Sequence, residues 1–143
     1  MRDTTLEQEL KEGRMCVSTT SGDSMYPMLR NRRDVVVIEP VNGQLKRYDL
    51  PLYRRPDGQY VLHRILCVKK KGYVICGDNR WSREYPVPHE WILGIVTGFY
   101  RDHSYISVKD PGYRFYVHLW CDFFWIRALI LRVRSVWVRM KKK

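Results

Sequence analysis

Short β-rich runs separated by turn residues fill the chain from Met15 to Val108, and the pattern changes character from Tyr113 onwards. Ahead of them, Leu6 and Leu10 lie four apart, Thr4-Thr5-Leu6-Glu7 has the form of a capping box, and Gly13 can end a helix. Residues 4–12 therefore read as a short amphipathic helix. Met15 to Thr20 reads as a strand that leads into a loop carrying Ser24. Two similar units follow: Asp34 before Val35-Val36-Val37-Ile38, and Asp49 before Leu50-Pro51-Leu52-Tyr53. Both look like strands entered through an acidic turn residue, and Pro51 makes the second an edge strand or the site of a bulge.

Residues Tyr60 to Gly77 read as a hairpin, with Val61–Val68 outbound, Lys71-Gly72 as the turn and Tyr73–Cys76 returning. On that register Cys67 faces Cys76, as two packed thiols or as a cross-strand disulfide. His63 and Asp78 become diagonal neighbours on one face. A slip of one residue would undo both relationships. Trp91–Tyr100 and Tyr105–Val108 read as a last pair of strands. The fold class expected is mostly β, a small fold of short antiparallel strands with a short N-terminal helix and a C-terminal amphipathic basic helix. Two parts are expected, residues 1–112 and a basic aromatic segment, 113–143.

At helical spacing the second part puts Trp125, Ile126, Leu129, Ile130, Val133, Val136, Trp137 and Met140 on one broad face, with the arginines mostly elsewhere. Such a helix either lies in a membrane interface or packs on its own domain or a partner. No apolar run in it approaches the roughly 20 residues needed to span a bilayer.

Charge sharpens this reading. The chain of 143 residues carries a formal net charge of +11, crowded towards the C-terminus, which suits an anionic membrane surface or nucleic acid. Of these two partners, nucleic acid is not the expected one. Residues 1–15 are rich in charge, so neither a signal peptide nor an N-terminal membrane anchor is expected there. A cytoplasmic or peripherally membrane-associated place follows. The four cysteines match no zinc pattern, and no metal or cofactor is called for.

Candidate chemistry centres on Ser21-Gly22-Asp23-Ser24-Met25-Tyr26-Pro27. A serine hydroxyl needs a neighbouring base to become a nucleophile at neutral pH. Gly22 permits a tight turn, Pro27 stiffens the exit, and backbone N–H groups of such a loop can face a developing oxyanion. His63 is the candidate base. His89, His103 and His118 have no acidic residue obviously placed to orient them. Lys69, Lys70 and Lys71 sit in a turn where solvent keeps them charged. Asp78, in Gly77-Asp78-Asn79, either orients His63 or buttresses the loop around it.

Ser-Met-x-Pro at 24–27, two strands opened by Asp34 and Asp49, His63-Arg64, then Gly77-Asp78-Asn79 come in an order that resembles the S24/S26 serine peptidases. Within them the chain is most similar to the signal peptidases of the archaeal and endoplasmic-reticulum type, which use a Ser–His pair. The bacterial type has lysine at the position of His63. The resemblance covers about Val17 to Gly98. It implies a signal-peptidase/LexA-like β-fold over 1–112, with Ser24 as nucleophile, His63 as general base and Asp78 as the aspartate of the third motif. It also implies that Gly22, Asp23, Met25 and Pro27 line the substrate site, Met25 beside a small residue just before the cut. Gly22 stands where some members place a second serine, and Arg33 and Tyr48 stand where glycine is frequent. The function implied is a serine endopeptidase cleaving a signal- or leader-type peptide. The alternative is a catalytically inactive module that binds a membrane surface or a partner protein.

Overall fold

The computed structural model describes residues 3–142, apart from the side chains of residues 3–5, so the Thr4 capping box lies outside the described residues. The elements, in chain order, are helix α1 (Asp3–Lys11), β1 (Cys16–Thr19), β2 (Val35–Glu39), β3 (Pro51–Arg54), β4 (Tyr60–Leu62), β5 (Arg64–Lys69), β6 (Gly72–Cys76), β7 (Glu84–Val87), β8 (Ile92–Arg101), β9 (Ser104–Ser107), α2 (Pro111–Cys121) and α3 (Phe124–Lys141). The fold is mostly β and antiparallel, with one helix before the strands and two after them.

One sheet runs β1-β2-β8-β3-β4, with β9 also paired to β8, and β5-β6-β7 form a second sheet. Leu6 and Leu10 of α1 pack on the first sheet beside Val36, Ile38 and Val96, and Gly13, at φ +83°, ends the helix as its sequence predicts. Tyr113, Val117 and Cys121 of α2 join that same core, so the C-terminal segment begins by packing on the strands. A second core, around Tyr53, Val61, Ile65, Ile75 and Val87, joins the two sheets.

Three expectations need correction. β3 is not an edge strand; it lies between β8 and β4 with Pro51 at its first position, and the register shift between Leu52 and Tyr53 leaves the extra residue, Leu93, on β8 rather than on the strand of the proline. The hairpin turn is Lys70-Lys71, since Lys69 pairs with Gly72. Leu66 is then an extra residue on β5, between the pairs Cys67–Val74 and Ile65–Ile75. Arg64, rather than Cys67, stands opposite Cys76 and ends this ladder. Cys67 is exposed and Cys76 buried, and all four cysteines are free.

The third correction concerns His63. It belongs to neither ladder but to the single residue between β4 and β5, where the chain passes from one sheet to the other.

Candidate active site

The loop between β1 and β2 is held at three points. Gly22, at φ +88°, donates its N–H to Asn31 Oδ1 at 2.8 Å. The loop exit is clamped by Asp34, which accepts the Arg30 N–H at 2.7 Å and the Arg30 guanidinium at 2.8 Å. Beneath Ser24, Asn79 donates its N–H to the Ser24 carbonyl at 2.8 Å and its side-chain amide to the Asp23 carbonyl at 3.1 Å. The N–H of Asp78 points at Met25 Sδ, 3.4 Å away. Residues 77–79 thus form the floor of the Ser24 loop.

Ser24 and His63, 39 positions apart, line one cavity of about 490 Å³. Its walls come from Ser18–Gly22, Met25 and Leu29 on one side and Gln59–Leu62 with Arg55 on the other. β1 and β4 end the path β1-β2-β8-β3-β4 of the main sheet, so the cavity opens between unpaired strand edges. Gly77 brings the pair together: a Cβ built on it would lie 2.5 Å from the Ser24 carbonyl oxygen and 3.2 Å from His63 Cδ2 and Nε2. Only a residue without a side chain lets the two approach this closely.

Among the described residues the Ser24 hydroxyl makes no hydrogen bond, and neither the Ser24 nor the Met25 N–H has a partner. Burial, then the positive charge of Arg55, push the His63 pKa down from 6.5 to about 4, so the imidazole is neutral at pH 7. The carboxylate acting most strongly against this is Glu84, ahead of Asp78. Glu84 accepts from Tyr53 Oη at 2.7 Å and from Arg55 Nη2 at 2.8 Å, and these bonds hold it ionised.

Asp78 does not orient His63 by a bond. Its side chain is fully buried and bridged to Arg64, Nε to Oδ1 at 2.9 Å and Nη2 to Oδ2 at 3.0 Å; Oδ2 also accepts from Tyr116 Oη at 2.7 Å. The cause is the register: Arg64 ends the ladder opposite Cys76 and directs its guanidinium at the carboxylate that His63 was expected to reach. Towards the Ser24 loop Asp78 turns its main chain rather than its carboxylate, with its N–H at Met25 Sδ.

Of the other residues singled out, Gly22 and Met25 line the cavity, while Asp23 and Pro27 do not. Asp23 pairs with Arg80 at 2.8 Å, and the Pro27 carbonyl accepts from Arg101 at 3.0 Å. Comparison with models of known protein families, with curated proteins and with solved structures finds no match. The site therefore stands on its own geometry. Among the described residues, no group of three or more His, Cys, Asp or Glu side chains could hold a metal ion. Lys69, Lys70 and Lys71 are exposed on the hairpin turn. His118 does have an acidic partner, Asp122 Oδ2 at 3.1 Å, but both are exposed, at the C-terminal end of α2.

Arg55 and Glu84 escaped notice in the sequence. Arg55 directly follows β3 and Glu84 opens β7, and only the folding of both sheets around β4 brings them to His63.

Proposed function

We propose that the chain is a serine endopeptidase of signal-peptidase-like type, acting through Ser24 and His63. The observation that carries this reading is the shared cavity. A serine on a glycine-turned loop and a neutral histidine meet against Gly77, between two open strand edges. In this reading an extended peptide lies along those edges, and Ser24 Oγ attacks the scissile carbonyl carbon while its proton passes to His63. The free N–H groups of Ser24 and Met25 face the oxyanion that develops. The imidazolium then returns the proton to the leaving amine, and water, activated by the same histidine, releases the acyl group. The apolar part of the cavity, with Met25, Leu29, Val36 and Ile38, takes a small or aliphatic side chain before the cut. A peptide with a signal- or leader-type segment is the substrate class.

A serine-directed acylating probe followed by peptide mass mapping tests this. Labelling at Ser24 that vanishes in the folded His63→Ala protein is the expected result. No labelling of Ser24, or equal labelling in His63→Ala, overturns the Ser–His assignment and favours a binding module.

A further inference from the structure

Helix α3 has two faces of opposite character. Arg127, Ala128 and Leu131 are buried against the domain. On the far side Trp125, Leu129, Val133, Trp137 and Met140 stand between 57% and 70% exposed. At 100° per residue the stripe they form is bordered by Arg132 and Arg139 on one flank and by Arg134 and Lys141 on the other. Its 18 residues make a rod about 27 Å long, and no helix among the described residues is long and apolar enough to cross a membrane. From Phe123 to Lys143 there are seven cations and no carboxylate.

We infer that α3 docks the protein on an anionic phospholipid surface, apolar stripe in the interface and flanking cations at the headgroup phosphates. A second copy is a poor occupant, because two such stripes face to face would set cation rows against each other. A lipid interface meets both halves of the pattern at once: acyl chains take the stripe, and phosphates take both flanks. The two tryptophans suit that depth. The Arg134 guanidinium lies 5.8 Å from the Tyr26 ring centroid, so the docked helix adjoins the loop of Ser24.

Flotation of the full chain with vesicles tests this. Vesicles of phosphatidylcholine mixed with phosphatidylglycerol should carry the protein, with binding that weakens as salt is added, and pure phosphatidylcholine vesicles should carry much less. Leu129→Glu/Val133→Glu, at exposed positions, should lower partitioning by more than about tenfold with an unchanged urea unfolding curve. Arg132→Gln/Arg139→Gln should lose the preference for anionic vesicles. Ser24→Ala should bind as well as the parent chain, which separates this result from the peptidase reading. Absence of flotation, equal flotation of the double-glutamate protein, or self-association on gel filtration that this variant abolishes would overturn the proposal.

Discussion

Arg64 and Asp78 meet through two parallel hydrogen bonds, 2.9 and 3.0 Å long, with both side chains fully buried. Arg64 follows His63 directly, and Asp78 follows Gly77. The ion pair therefore ties the chain next to His63 to the floor of the Ser24 loop. Tyr113 Oη, 2.9 Å from Arg64 Nη1, and Tyr116, on Asp78, extend it into α2. Trp120 adds a bond of 2.6 Å to the Asp78 carbonyl. Breaking a buried pair by removing one partner leaves an uncompensated charge.

Asp78→Asn should accordingly lower unfolding stability by about 3–5 kcal/mol in urea titration. If the variant is still folded at low temperature, its turnover should fall while the acid limb of its pH profile stays within a few tenths of a unit. A marked shift of that limb would show that Asp78 acts on His63 directly rather than by positioning the loop.

The pH profile itself departs from what a lone histidine suggests. An ordinary imidazole would take a proton, and stop accepting one from Ser24, as pH falls below about 6.5. With the His63 pKa lowered to about 4, labelling of Ser24 should persist to near pH 4 before it is lost. Stability follows the same group with the opposite reach. Above pH 6.5 both folded and unfolded chains hold a neutral His63, and its contribution is complete. Between 6.5 and 4 the unfolded chain gains the proton and the folded one does not, so stability falls with pH, by about 3 kcal/mol across the window. Glu84→Gln removes a charge that favours the imidazolium and should move the acid limb lower still. A limb near 6.5 in the parent chain would show that His63 is solvated.

Much of this was legible because it is local. The helix before Gly13, the strand into the Ser24 loop, β2 after Asp34 and the β8–β9 pair each carry their own pattern and stop signal. The β5–β6 register was not, because three lysines before Gly72 allow two turns one residue apart, and nothing in Leu66 marks it as a bulge. β7 contains Pro86 and has only four residues; its pairing with β6 makes it a strand. In the site, Ser24 and His63 could be named from motif order. The charges around His63 could not, since Arg55 reaches it from the turn after β3 and Glu84 from the start of β7.

Gly77 tests the closeness of the candidate pair. In Gly77→Ala the new methyl would press on a backbone oxygen at 2.5 Å, which cannot swing aside as a flexible side chain can. Either the Ser24 loop or the His63 ring must move. Probe labelling of Ser24 should drop at least about 100-fold, in keeping with the cost of misplacing reacting groups by about 1 Å. Undiminished labelling would mean that Ser24 and His63 do not act across this contact.

Tyr48 shows why glycine suits the position before a strand-opening aspartate. Its φ of +74° lies in the left-handed region that a bulky side chain seldom enters. Several contacts hold it there: its N–H on the Ile65 carbonyl at 2.7 Å, its hydroxyl on Asp122, Arg47 over its ring, and its carbonyl under Arg64. Arg33, at the other position of this kind, is not strained; its neighbour Arg32 takes the positive φ of +59° instead. Replacing Tyr48 removes the side-chain anchors in any case, but the backbone cost depends on what replaces it. Tyr48→Ala keeps a Cβ in the left-handed conformation, whereas Tyr48→Gly relieves it, so the glycine variant should be the more stable by about 1 kcal/mol in urea unfolding. Equal stability of the two would show that the backbone relaxes out of the left-handed region once the ring is gone.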